Sequence, residues 1–351
     1  MSKTQLDEYY NTTYLKCNLS DNFVASWKGV AYPNHIFQFI ELPFQILAFY
    51  VIIAKTPKSM KNIKFPLLIN HLSCALVDLS FCSLSTLYLF VPIHGAFGVG
   101  LLSWLGIGFQ YQMFMLEIFG ICAICSYTYL FESRSSSLPQ NRFRISRRKI
   151  KFLYYFFVFL PFILIVIFLL NIPQDQDAAK LDALKKYPCP TVEFFNSPVV
   201  IAISDEDVVN IKNRFIIPFI GAHIVFNNSF HIFCLIYYLY ISPPKTLSVE
   251  TKQSQKRFLI GMMVQCSIPS LLGFIPIVIV FIAYRTGNHS QELVNFMVDC
   301  VGLHGLGESL TILLVHKSYR KAVFQIVCVW KPKKTTTSFQ ISQWNSHLVL
   351  K

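Results

Sequence analysis

Not one of the 31 Lys and Arg residues of this 351-residue chain falls inside its seven long apolar runs. Charge is scarce throughout: 14% of the residues are charged, where soluble globular proteins average about 25%. That scarcity, beside an apolar content of 54%, excludes an ordinary soluble domain. The first 35 residues lack an apolar stretch, so no cleavable signal peptide is expected and the first span must act as its own insertion signal. No His-Glu-x-x-His pattern is present, which removes the commonest helix of a zinc hydrolase. No RNA- or DNA-binding motif accompanies the net charge of +13. The basic residues instead flank the apolar runs, where they suit anionic lipid and a cytoplasmic partner. Neither half repeats the other in inverted form, which counts against a transporter.

What the chain has is apolar length. Seven runs read as spans: Ile36–Ala54, Phe65–Val91, Leu101–Phe131, Phe152–Ile172, Phe215–Ile241, Phe258–Ala283 and Leu293–Val315. Each is close to or above the roughly 20 residues that cross the hydrocarbon core as a helix. Phe152–Ile172 carries no charge, whereas Ile36–Ala54 is interrupted by Gln38, Glu41 and Gln45. Leu101–Phe131 is too long for the bilayer alone and is expected to tilt or to project from it. With the N-terminus outside, the cytoplasmic gaps and tail hold 22 basic residues and two acids, and the outer gaps hold nine basic residues and 11 acids. Cytoplasmic excess of Lys and Arg is the main determinant of orientation. The expected fold is all-α: a seven-transmembrane helix bundle, with 1–35 as an extracellular tail, 36–315 as the membrane domain and 316–351 as a cytoplasmic tail. Ser318–Trp330 reads as an amphipathic helix on the inner membrane surface. Cys328 near its end is either a palmitoylation site or a plain thiol. Thr335–Ser338 is either a phosphorylation cluster or a polar linker.

Of the ten cysteines, only Cys17 and Cys189 fall in outer segments, where they either pair or stay free. Sequons at Asn11, Asn18 and Asn288 lie on the same side. Five acids sit within the spans: Glu41, Asp78, Glu117, Asp299 and Glu308. An ionisable residue at a helix centre costs about 2.5–3.5 kcal/mol, so each should face the bundle interior or water. With no Lys or Arg in the runs, histidine must pair with them or they carry protons. At about 1.5 Å of rise per residue, His71 and Glu308 reach similar depths in the second and seventh spans, with Asp78 between His304 and Asp299. His304 and Glu308, four residues apart, share a helix face. A polar cluster between these spans follows, serving as interhelical hydrogen bonds or as a switch. In the sixth span, Pro269 and Pro276 flank Gly273 and bend the helix, as a hinge or as a static kink.

Several stretches together resemble the nematode serpentine chemoreceptors of class h, with class i as the nearest neighbour. They are Thr56–Lys64, Leu76–Leu79, Phe131–Arg134, Ile172-Pro173, Pro188–Pro190, Leu303–Leu306 and Leu313–Lys317, in that order along the chain. The resemblance implies a chemosensory receptor of the plasma membrane, in the cilia of sensory neurons, coupled to a heterotrimeric G protein. It implies no cofactor and no metal. The chain departs from the family pattern at Glu308, where a small hydroxyl residue is usual, and at Ser318, where proline is. It also lacks the Asp-Arg-Tyr and Asn-Pro-x-x-Tyr marks of rhodopsin-like receptors, with Phe131–Arg134 in the place of the former. On this reading a small-molecule or peptide cue binds in the outer half of the bundle, at Asp78, Tyr111, Asp299 and His304. His71, Glu117, Glu308, Pro269 and Pro276 form the switch. Arg134, Arg147, Arg148 and Lys256 couple to the G protein. A ligand-gated cation channel of the insect odorant-receptor kind and an intramembrane metallohydrolase stand as alternatives.

Overall fold

The computed structural model describes residues 2–17, 22–57, 60–243 and 248–329, without side chains at 2–4, 168–170 and 327–329. Seven of the described helices are long and apolar enough to cross a membrane. They are Lys28–Lys55, Lys61–Leu84, Phe109–Ser136, Arg148–Ile167, Glu206–Ile241, Val249–Arg285 and Gln291–Val315. Helices satisfy every backbone polar group internally, which is why apolar runs of this length take that form in lipid. Side chains such as Phe39, Phe226 and Phe233 point outward, as the faces of a lipid-embedded bundle do. The N-terminal segment and the loop after the fourth span lie at one end of the bundle, here the N-face. The helix Lys317–Val329, packed against the first span, lies at the other, the C-face.

Two apolar clusters bracket the interior. At the C-face, Val51, Ile52, Leu67, Phe131, Leu235, Met262, Ile312 and Tyr319 come together from six spans and the terminal helix. At the N-face, Val30, Phe97, Leu184, Phe194, Val294 and Val298 join spans to loops. Between them lies a layer of buried polar side chains.

The spans depart from the sequence expectation at their ends. The first begins at Lys28 rather than Ile36, the fifth at Glu206 and the sixth at Val249, because polar turns continue the helices beyond the apolar runs. The third begins at Phe109, not Leu101: Leu101–Trp104 is a separate turn, and Gly106 (φ 76°) breaks the run. The second stops at Leu84 in a π turn, Ser80–Leu84, although the apolar run continues to Val91. The next residues form β1 (Leu87–Phe90), which pairs antiparallel with β2 (Gly95–Gly98). β3 (Val200–Ile201) adds antiparallel to β2. Hydropathy alone does not separate a short buried strand from buried helix, so the apolar stretch 87–91 carried no warning of the sheet. The terminal helix occupies Lys317–Val329, and the amphipathic segment was expected over Ser318–Trp330. Trp330, Thr335–Ser338 and the Cys328 side chain lie outside the described residues.

The sheet forms a floor under the N-face. Cys17 and Cys189 are disulfide-bonded, and the N-terminal helix Ser2–Thr12 lies along the loop helix Gln176–Lys186. Tyr9 Oη donates to the Pro188 carbonyl at 3.0 Å.

His94, left-handed at φ 49°, closes the turn between β1 and β2. Burial pushes its imidazole down to about 4, and Lys212 and Lys186 add to the shift. Below the ordinary histidine value of about 6.5 the unfolded chain takes up a proton that the folded one refuses. The N-face should therefore lose stability as pH falls from about 6.5 towards about 4. Melting curves of the wild type and of His94→Asn, which tolerates the left-handed backbone, should diverge at pH 7.5 and converge towards the acid end of that window.

Candidate functional site

The polar layer is built from five spans. Sequence spacing set His71 and Glu308 at one depth, and the structure places His71 Nδ1 2.7 Å from Glu308 Oε2. His71 Nε2 lies 3.2 Å from the Gln45 carbonyl. Both ring nitrogens thus face acceptors. Gln265 Nε2 donates to Glu308 Oε1 at 2.8 Å and to Asn70 Oδ1 at 2.9 Å. Asn70 Nδ2 in turn donates to Ser126 Oγ at 2.9 Å. One carboxylate therefore connects the second, third, sixth and seventh spans.

A second pair lies closer to the N-face. His304 Nδ1 is 2.7 Å from Asp78 Oδ1 and 2.9 Å from the Val301 carbonyl. The N–H points to the carbonyl, so the Asp78 contact is one of charge and proximity rather than a linear hydrogen bond. Gln45 Nε2 donates to both Glu41 Oε1 (2.5 Å) and Asp78 Oδ2 (3.3 Å), bringing in the first span. Two carboxyl groups thus share one amide, and Glu41 Oε2 is buried without a hydrogen-bond partner. Asp299 accepts from Asn34 Nδ2 at 2.7 Å, again between the seventh and first spans.

The seventh helix breaks at Leu303, between Gln291–Gly302 and His304–Val315. Gly305 follows the break, and a Cβ there would fall on the Asp78 carboxylate. Gly305→Ala should destabilise the protein by about 1–3 kcal/mol through overpacking. In an Asp78→Ala background the same change should cost much less, as melting temperatures of the two single variants and the double variant in detergent would show.

Not every expected residue joins this layer. Tyr111, expected in a ligand pocket within the bundle, is instead 74% exposed on the third span and does not face the interior. Its helical position points outward because Gln112, next to it, takes the buried face, bonding Ser103 Oγ and the Ile107 carbonyl. Glu117 lies apart from the histidine–carboxylate pairs, within electrostatic reach of Lys212 of the fifth span. Extension of that helix to Glu206 brings Lys212 into a span, so histidine is not the sole counter-charge. Pro269 and Pro276 flank a π turn, Ser270–Phe274, which interrupts the sixth helix.

At the C-face, Arg134 is buried rather than presented on the surface, its guanidinium 5.4 Å from the centre of the Phe258 ring on the sixth span. Neighbouring Glu132 accepts from Tyr155 Oη (2.6 Å) and Ser136 Oγ (2.7 Å), with Lys151 Nζ at 3.2 Å. Arg147 and Arg148 are exposed, and Lys256 lies 4.4 Å over the Tyr240 ring. Asn11 and Asn288 are exposed, and Asn18 lies outside the described residues. Among the described residues no group of three or more His, Cys, Asp or Glu is arranged to hold a metal ion.

Sequence reasoning missed a cavity of about 1070 Å³ on the N-face, walled by the tail, the disulfide and the loops. Tyr10, Tyr14, Trp27, Phe90 and Tyr187 line it, with Glu193, Glu292 and Lys28. Its wall is tied to the seventh span: Asn295 Nδ2 donates to the Val24 (2.7 Å) and Ser26 (3.1 Å) carbonyls, and Asn22 Nδ2 to Glu292 Oε1 at 2.9 Å. Asn295 stands one turn before Asp299 on that helix.

A protein family and one relative match this chain along most of its length, and a second relative matches part of it. Residues 25–329 match the family described as serpentine type 7TM GPCR chemoreceptor Srh. Serpentine receptor class H-72 of Caenorhabditis elegans is 31% identical over 92% of this chain and 94% of its own length. Serpentine receptor class r-10 of Caenorhabditis briggsae is 29% identical over 29% of this chain and 32% of its own. No solved structure matches. The family is one of chemoreceptors and not of enzymes, and the seven spans are those of a multi-pass membrane protein: the chain belongs to the Srh family of serpentine seven-transmembrane chemoreceptors.

Proposed function

We propose that the protein binds an external chemical cue on its N-face and activates a heterotrimeric G protein at its C-face. The observation that carries this reading is the family match over residues 25–329. In this arrangement the N-terminus lies outside, the C-terminus lies in the cytoplasm, and the receptor works at the plasma membrane in the cilia of chemosensory neurons. The imbalance of basic residues supports that orientation, and exposed Asn11 is then glycosylated.

The cue docks in the N-face cavity, under the disulfide-tied loop. Its energy reaches the polar layer through the seventh helix, from Asn295 past Asp299 and the break at Leu303 to His304 and Glu308. Gln265, bonded to Glu308, stands one turn before Pro269 and the π turn. Irregular turns of this kind frequently mark functional hinges. A cue that favours one bundle conformation shifts a pre-existing equilibrium by no more than its differential affinity. At the C-face, movement of the sixth helix releases Arg134 from Phe258, and exposed Arg147 and Arg148 meet Gα.

Expression in a heterologous cell, with a panel of volatile, small-molecule and peptide cues, tests the reading. A Gα-dependent response to at least one cue is expected, reduced by Arg134→Ala at equal surface expression. Silence from every Gα class with the receptor at the surface would count against it, and a cue-gated current independent of G protein would favour the channel.

A further inference from the structure

Glu193 opens the short helix Glu193–Asn196 in the loop beneath the disulfide and lines the N-face cavity. Only 7% of it is exposed, yet among the described residues no Lys, Arg or His comes within 4.0 Å of its carboxylate. Among the described residues, the Trp27 backbone N–H donates to its Oε1 at 3.2 Å. A carboxylate on a cavity wall with no cationic neighbour in the protein can take its counter-charge from a ligand. The other charged groups on the cavity wall do not fill that role. Glu292 adds a second negative charge and is held by Asn22. Lys28 Nζ stands 5.9 Å over the Trp27 ring, on the same wall but not in an ion pair with Glu193.

The rest of the wall is aromatic. Ring faces carry partial negative charge and attract cations, by about 0.5–1 kcal/mol when exposed and about 2 or more when desolvated. Lys28 over Trp27 is the protein's own example of that contact. A cavity of about 1070 Å³ is large enough for a drug-sized molecule or a short peptide.

We propose that this cavity selects ligands that carry a positively charged nitrogen, as a protonated amine or quaternary ammonium, on an apolar or aromatic body, with the charge seated against Glu193. The ligand class rests on the reading of the N-face cavity as the cue site. Neutral hydrocarbons of the same shape gain the apolar contact but leave Glu193 unpaired. Anions meet Glu193 and Glu292 with repulsion.

Three probes of similar size separate these cases: benzyltrimethylammonium, its neutral carbon isostere neopentylbenzene, and phenylacetate. Binding is read as thermal stabilisation of the purified full chain, with Gα nucleotide exchange followed in the same samples. Benzyltrimethylammonium should act at concentrations about tenfold or more below the neutral probe, and phenylacetate should not bind. Glu193→Gln should abolish the preference and Glu193→Asp should keep most of it. Equal binding of the neutral or anionic probe, a preference that survives Glu193→Gln, or no binding by any of the three overturns the proposal. If Glu193→Gln does not fold, the three probes on the unaltered chain decide alone. Cation-selective binding without nucleotide exchange would sink the signalling reading and leave the ligand class standing. A G-protein response to cues with no preference for cations would do the reverse.

Discussion

Replacing His71 with alanine should lower stability by about 3–5 kcal/mol, because it strands Glu308 as an unpaired buried charge. The two side chains are each 1% exposed and 2.7 Å apart. Magnitudes decide what this measurement reports. A neutral interhelical hydrogen bond in a membrane protein is worth about 0.6 kcal/mol on average and at most about 1.7. A coupling energy well above that range marks an ion pair, and one within it a neutral bond, because the single-variant loss also includes the packing of the His71 ring. The His71→Ala/Glu308→Ala double variant should be more stable than the sum of its parts, since removing both partners leaves no orphan charge. Melting temperatures of the four proteins of the cycle in one detergent supply the coupling energy.

The second large effect belongs to the disulfide. Cys17→Ser with Cys189→Ser should cost about 2–5 kcal/mol, because the bridge closes a separation of 172 residues. The loss should be local. The tail and loop should become sensitive to protease and exchange amide protons faster, while the spans keep their protection. Without the bridge, contacts such as the Tyr14 Oη bond to the Pro190 carbonyl (2.9 Å) and the Tyr9 bond to Pro188 still tie the tail to the loop, each worth about 1 kcal/mol. Since Cys17 and Cys189 wall the cavity, the variant should also lose its response to any cue that binds there.

The seven spans were legible because a membrane demands runs of a length that hydropathy detects. Their ends were not, since polar turns such as 206–214 continue a helix without any apolar signal. The sheet escaped for a different reason: Leu87–Phe90 is as apolar as the helix before it. The two histidine–carboxylate pairs were partly legible from depth and from the i, i+4 spacing of His304 and Glu308. Their neutral partners were less so, because Gln45, Asn70, Ser126 and Gln265 carry no charge to mark them. Gln38, Glu41 and Gln45 weakened the first span as a hydrophobic segment, yet their spacing of three and four residues is that of an inward-facing stripe. All three are buried. Tyr111 failed because an aromatic residue in a membrane helix suits lipid as well as a pocket. The cavity was beyond sequence reasoning, because it forms where the tail and three loops meet, and no periodicity records that meeting.

The Gln265–Glu308 bond joins the broken seventh helix to the sixth, one turn before its π turn. Glu308 has a partner in each of two neighbouring spans, His71 and Gln265.

A cue bound at the N-face is expected to raise G-protein activity at the C-face. The direct measurement is nucleotide exchange by a purified heterotrimer on the full chain in lipid nanodiscs, as a function of cue concentration. A saturable rise is expected, lost in the Cys17→Ser/Cys189→Ser variant. Exchange that stays at the basal rate for every Gα class, while the cue demonstrably binds, would contradict it.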